Sequence, residues 1–405
     1  MAAILSPNLA SPQFKADPHP FYARLRAEAP VYRATLPGRQ PAWLVTRYDD
    51  VSALLKDARF VKDRRNLSTA NGPPATAPWV PAMLKPLAEN MLDLDAPAHT
   101  RLRALVHKAF TPARVAGLQG RIEQLCDDLL ARVRRAGRIE LIHQYALPIP
   151  TTIIAELLGI PAADRHRFHA WSARIVTATN RGPDMLRALP AAWQLVRYVR
   201  GQVAARRAQP GDDLLSALVQ AEDGGDTLSA DELLAMVIIL LIAGHETTVN
   251  AIGSGILTLL QNPAVLEELR ADPALLPGAV EELLRYCSPV EIATERYARE
   301  DRELGGVPIR RGDLVLGVLA SANRDERQFA DPDRIDIRRT PNRHLAFGQG
   351  AHYCVGAPLA RLETQIALRT VIQQMPALRL ATAPTQLRWQ RGVFLRGVEQ
   401  LPLAF

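Results

Sequence analysis

The densest chemistry in the chain lies in Phe347-Gly348-Gln349-Gly350-Ala351-His352-Tyr353-Cys354-Val355-Gly356, a cysteine set among glycines with a helix expected just beyond it. Such a loop turns backbone N–H groups towards the sulfur, and a helix N-terminus adds positive potential. Both lower a thiol's pKa and favour the thiolate. The glycines would also let the backbone approach a flat cofactor closely. On these residues alone several readings stay open. A lone cysteine is commonly an inert core residue. A thiol nucleophile has no identifiable base here, and a zinc site lacks a second Cys or a His pair at ligand spacing.

A second segment, Ala243-Gly244-His245-Glu246-Thr247-Thr248, sits inside a long helical pattern. Glycine in a helix interior costs about 1 kcal/mol relative to alanine, and a neighbouring Thr can bond the carbonyl four residues back, here Ala243. Together they suggest a locally loosened helix, although a buried helix with a tolerated glycine reads the same way. His245-Glu246 opens a His-Glu-x-x-His zinc motif, but Val249 stands where the second His is needed. Glu282 and Arg285 are three apart on one helix face, and His99 and Arg103 are four apart on another.

These groups need a scaffold, and the pattern supplies a mainly helical one. Ser229 with Glu232 reads as a capping box, and Asn262-Pro263 as a stop, for a helix over Ala230–Gln261. At 1.5 Å per residue that helix is about 48 Å long, enough to cross a domain. A last helix is expected over Ala357–Gln374, directly after the cysteine loop. Near the start, Phe21–Ala27 and Asp50–Lys56 read as helices and Ala42–Arg47 as a strand. From Glu291 to about Ile337 strands and turns return, including the extended run Leu314–Leu319. Residues 64–92 form a Pro- and Ala-rich connection with Trp79, Met83, Leu84, Leu87 and Met91, which reads equally as a lid or binding loop and as a floppy excursion without function.

Composition narrows the classes. The chain has 405 residues, 48% hydrophobic and 22% charged, ordinary for a globular protein with a sizeable core. Prolines outnumber glycines, 31 to 24, which suggests many short, stiffened connections. Cys126, Cys287 and Cys354 are an odd number far apart, so no disulfide framework is indicated and a reducing compartment fits. No signal peptide is visible. The longest uncharged apolar run, Leu233 to Gly244, is well short of the roughly 20 residues that span a bilayer. A soluble cytoplasmic protein is expected. The formal charge is +7, but the arginines are scattered and aromatics are only 5%, which disfavours nucleic-acid binding and leaves an acidic protein partner open.

The cysteine loop resembles the haem-binding loop of the cytochrome P450 family, Phe-Gly-x-Gly-x-(His/Arg)-x-Cys-x-Gly, at every defined position. The long-helix segment is similar to that family's oxygen-activating motif, Ala-Gly-x-(Asp/Glu)-Thr, and Glu282-Leu283-Leu284-Arg285 to its Glu-x-x-Arg. The likeness runs from about Asp17 to the C-terminus. It implies the mostly helical P450 fold with a small β region, as one domain over 1–405. Cys354 would ligate the iron of haem b. Phe347 and Gly348 would bind the haem from the loop, and His99, Arg103, Arg296 and His352 would hold its propionates. Glu246 and Thr247 would carry protons to the reaction centre. Arg334, in Asp331-Pro332-Asp333-Arg334, would be the third member of the Glu282–Arg285 set, with Ile335 replacing the family's commoner Phe.

The implied reaction is monooxygenation of a medium-sized hydrophobic small molecule by O2. No flavin or cluster-binding segment is visible, so electrons would come from a separate acidic ferredoxin and its reductase, with Arg101, His107, Lys108 and Arg361 as docking candidates. No membrane or nucleic acid would take part, and the chain would be a monomer. Candidate pocket walls are the 64–92 loop, Leu240, Ala243, Val290 to Ala293, and Val393-Phe394. Other haem-thiolate chemistry (coupling, desaturation, peroxide-driven oxidation) and a non-catalytic haem or gas sensor are the alternatives. A sensor would not require Glu246-Thr247.

Overall fold

Ser229 and Glu232 start the longest element as their spacing predicts. In the computed structural model the Ser229 hydroxyl accepts from the Glu232 amide at 3.2 Å, and the Glu232 carboxylate accepts from the Ser229 amide at 2.8 Å. This reciprocal cap satisfies two donors that the first helical turn leaves without partners. The helix then runs Ala230–Gln261 without a break, so the loosening expected at Gly244 does not interrupt it. By length and composition alone it could cross a membrane, but its most apolar stretch is 61% buried, as in a core helix. The structure describes residues 7–67, 90–179, 182–223 and 225–405. Most of the 64–92 connection, including Trp79, Met83, Leu84 and Leu87, lies outside the described residues; Met91 is buried in a short turn, Met91–Asp93.

The chain divides into two compact units. One comprises Met1–Ala75, Glu123–Ala146 and Thr247–Phe405, the other Thr76–Ile122 and Leu147–Glu246.

The first unit holds the main sheet, whose neighbours run Val31–Leu36, Gln40–Val45, Leu314–Gly317, Arg296–Ala298, Phe60–Val61. Leu314–Gly317 pairs parallel with Gln40–Val45, setting Val315 opposite Trp43, while the other pairings are antiparallel. Successive strand residues face opposite sides. Accordingly Val315 joins a cluster with Val51, Leu54 and Leu345, and Leu314 and Leu316 join another with Tyr22, Leu25 and Leu44. A strand buried on both faces explains the near-continuous apolar run Leu314–Leu319, and it bends into a short helix, Leu319–Ala322, at its end. The expected strand over Ala42–Arg47 lies at Gln40–Val45, because Arg47 is the N-cap of the helix Tyr48–Lys56. The long helix contributes its C-terminal half to this unit. A Cβ on Gly253 would stand 2.6 Å from the Ile142 side chain, so glycine there permits the contact.

Glu282 and Arg285, on the helix Leu276–Cys287, are fully buried and paired at 2.7 Å. Arg285 also donates to the carbonyls of Asn323 and Pro332 at 2.8 and 2.9 Å, fastening the helix to the segment beyond the sheet. The side chain that completes the set is Arg339, whose Nε donates to Glu282 at 3.2 Å. Arg334 contributes its carbonyl instead, accepting from Arg285 and Arg339 at 3.3 and 3.4 Å. The turn over Asp331–Arg334 directs backbone, not guanidinium, towards the pair, and so the expectation for the Arg334 side chain is corrected. Removing one member of a buried pair typically costs about 3–5 kcal/mol, because the other charge is left uncompensated.

In the second unit the helices Ala162–Thr179 and Gly182–Ala208 lie against each other. The helix Ala98–Ala109 carries His99 on its buried side, and Arg101 on it pairs with Asp226 at 3.2 Å and with Glu232.

Candidate active site

Gly348 and Gly350 adopt left-handed φ of +69° and +74°, which side chains resist. Gly350 is doubly constrained: a Cβ there would come within 2.6 Å of the Leu55 carbonyl oxygen. The loop therefore lies flat on the Tyr48–Lys56 helix, where the Ser52 hydroxyl donates to Gln349 at 2.7 Å. The Cys354 amide donates to the Phe347 carbonyl at 3.0 Å and closes the loop on itself. The helix Ala357–Gln374 starts three residues after Cys354, with Pro358 in its first turn. Its N-terminal amides favour negative charge at the sulfur.

The three thiols separate by environment. Cys126 is fully buried, and burial pushes its thiol up to about 12. Burial also raises that of Cys287, which lies 3.3 Å from the Thr258 hydroxyl and 3.6 Å from the Ser254 carbonyl. Cys354 is exposed. The donor chemistry thus fits a cofactor that takes one thiolate. Among the described residues no group of three His, Cys, Asp or Glu side chains could hold a metal unaided.

A polar bracket braces the loop. The Arg361 guanidinium stands 4.5 Å from the centre of the Phe347 ring. It donates to both carboxylate oxygens of Glu281, at 2.7 and 2.8 Å, and to the Tyr353 hydroxyl at 3.3 Å. His344 reaches the same carboxylate at 3.0 Å. Burial alone would raise the Glu281 carboxyl; the hydrogen bonds from His344 and Arg361 outweigh it and hold the group at about 2. Sequence reasoning missed this bracket. Two signals were present: Glu281 immediately precedes the paired Glu282, and Arg361 lies seven residues, two helical turns, beyond Cys354.

In the long helix the residues flanking its middle are mostly buried, yet Ala243 and Gly244 are exposed, and a Cβ built on Gly244 meets nothing within 4 Å. His245 turns inward onto the Leu241 carbonyl at 3.1 Å, and burial lowers its pKa, keeping it neutral. Glu246 is half-buried, and burial raises its carboxyl above the usual range. Thr247 is half-buried and Thr248 buried. His99 and Arg296 are 2% and 4% exposed, while Arg103, His352, Phe347 and Gly348 are half-buried. Arg296 donates to the Thr294 carbonyl at 3.3 Å. Of the expected docking cations, Arg101 and Arg361 are already engaged with carboxylates, and His107 and Lys108 are exposed.

The family model for cytochrome P450 matches residues 7–389. The chain is 47% identical over 391 residues to Cytochrome P450 107B1 of Saccharopolyspora erythraea, covering 96% of this chain and 95% of that one. It is 41% identical over 410 residues to the 6-deoxyerythronolide B hydroxylase of the same organism, covering 98% of each. Among solved structures it superposes on PksS, the cytochrome P450 of the Bacillus subtilis bacillaene polyketide synthase, with a TM-score of 0.91 at 41% identity, over 98% of this chain and 99% of that one. On these matches the chain belongs to the cytochrome P450 family, monooxygenases that carry haem b on a cysteine thiolate.

Proposed function

We propose that the whole chain works as one haem domain, with Cys354 as the iron ligand, and inserts one oxygen atom from O2 into a medium-sized hydrophobic molecule. The observation that carries this reading is the exposure of Cys354 ahead of a helix N-terminus, against two thiols closed off by burial. Bound haem supplies reductive O2 activation, which the thiolate promotes by donating electron density. Phe347 and Gly348 shape the loop beside it. His99, Arg103, Arg296 and His352 hold the propionates, and donors as enclosed as His99 and Arg296 suit a buried carboxylate.

Glu246, its carboxyl raised by burial, takes up and releases a proton closer to neutral pH than an exposed glutamate would. Thr247, next to it, offers a hydroxyl that orients a water for that transfer. Leu240, Ala243, Val290 to Ala293 and Val393-Phe394 form walls for the substrate that are apolar except at Glu291, whose carboxylate is taken by Lys15. Relatives whose names place them in polyketide biosynthesis support a polyketide-sized substrate. Electrons come from a separate acidic ferredoxin and its reductase, in the cytoplasm, to a monomeric enzyme. The test is Cys354→Ser: the reduced carbon monoxide complex of the parent shows the strongly red-shifted Soret band of thiolate ligation, and the variant loses it. A variant that keeps the band removes Cys354 from the iron.

A further inference from the structure

Lys15 is a cation with no exposed surface, on the five-residue helix Pro12–Ala16. Its Nζ donates to Glu291 Oε2 at 2.7 Å and to the Val393 carbonyl at 2.9 Å. Glu291 is equally enclosed, and its other carboxylate oxygen accepts from the Tyr22 hydroxyl. The backbone of Glu291 reaches the same turn. Its amide donates to the Phe394 carbonyl at 2.8 Å, and the Ile292 amide shares that acceptor at 3.2 Å. Val290 bridges Leu395, and the Arg396 amide donates to Pro289 at 3.0 Å. Arg396 returns to the N-terminal segment, its Nε donating to the Lys15 carbonyl at 2.9 Å. Glu291, Lys15 and the 393–394 turn therefore close a ring: Glu291 holds the turn by its amide and holds Lys15 by its carboxylate, and Lys15 holds the turn by its ammonium.

A buried ion pair is a poor way to add stability, since desolvation consumes most of its attraction and an apolar pair of like volume serves as well. What this pair adds is direction: an ammonium delivered to one carbonyl, Val393, that no main-chain partner among the described hydrogen bonds takes. Val393 and Phe394 are half-buried, and their rotation follows the turn's backbone. We infer that Lys15, through Glu291 and the Val393 carbonyl, is a positioning residue for substrate specificity: it fixes where the Val393 and Phe394 side chains stand. This rests on the reading above that Val393-Phe394 is a wall of the substrate pocket.

The experiment titrates the holoenzyme with nitrogen ligands of increasing bulk, imidazole, a phenylimidazole and a biphenylyl-imidazole, read by the haem difference spectrum. Lys15→Met removes both contacts; Lys15→Gln removes the charge and is one bond shorter but keeps a polar donor in the buried site, and covers the case in which the methionine variant fails to fold. Lys15→Arg restores charge and reach. The expected result is imidazole affinity unchanged, affinity for the bulkiest ligand altered by about fivefold or more in the Met or Gln variant, and recovery in the Arg variant. Val393→Ala and Phe394→Ala, measured alongside, test the wall itself. If those two shift the size series and the Lys15 variants do not, Lys15 is structural only and the inference is overturned. If neither wall variant shifts it, the pocket reading is wrong and the inference falls with it. An equal weakening of every ligand, imidazole included, signals general loosening and also overturns it.

Discussion

Glu281→Gln isolates the bracket around the cysteine loop, because the amide keeps the shape and discards the charge that Arg361 and His344 share. The fall of the Glu281 carboxyl from 4.5 to about 2 converts, at about 1.36 kcal/mol per pH unit, to a ceiling of about 3 kcal/mol. Its side chain is 30% exposed and that of Arg361 34%, so screening brings the expected loss at neutral pH to about 2 kcal/mol. The sign follows from the lowered pKa: the folded state holds the carboxylate more readily than the unfolded chain does. Its contribution is therefore complete above the unfolded value of 4.5 and is lost as pH falls towards about 2. The parent's stability should drop across that interval with a slope steeper than the variant's by up to one proton. A cycle with Arg361→Met and the double variant, followed by chemical denaturation and by the fraction of red-shifted carbon monoxide complex, separates the pair from its surroundings. Additive single effects, or a parent and variant with the same acid slope, would refute the bracket.

Three further outcomes follow from the site. Thr247→Ala should retain haem but waste electrons, seen as less product per reductant consumed, and Glu246→Gln should slow turnover; unchanged coupling in the first makes Thr247 an ordinary helix residue. Replacing His99 or Arg296 by alanine should weaken haem retention under denaturant by about 1–3 kcal/mol, the cost of stripping a partner from a buried charged group, and parent-like retention in both removes them from the propionates. Lys108→Glu should slow reduction by ferredoxin, more at low salt than high, and leave reduction by dithionite unchanged; a salt-independent rate would place the docking site elsewhere.

The parts legible in the sequence were those encoded within a few residues. Ser229, Glu232 and Asn262-Pro263 delimit the long helix locally, and the glycines around Cys354 demand a tight loop whatever surrounds them. Parallel pairing of Val315 with Trp43 has no such local mark. Neither do Lys15 with Glu291 or Arg339 with Glu282, which lie 276 and 57 residues apart and resemble ordinary solvated charges in a chain with 49 Lys and Arg.

That basic surplus has a structural component invisible in composition. Arg285, Arg339 and Arg361 each engage carboxylates or carbonyls through several nitrogens at once, a use open to a planar guanidinium and closed to an ammonium. A reading of net charge as docking surface counts such arginines twice. Reversing Arg361 would break the Glu281 bracket and disturb the loop of Cys354, so it would impair reduction by ferredoxin and by dithionite alike. Reversing Lys108, exposed on its helix, leaves that bracket intact. The contrast between the two variants is what distinguishes a cation that meets a partner from one that holds the loop.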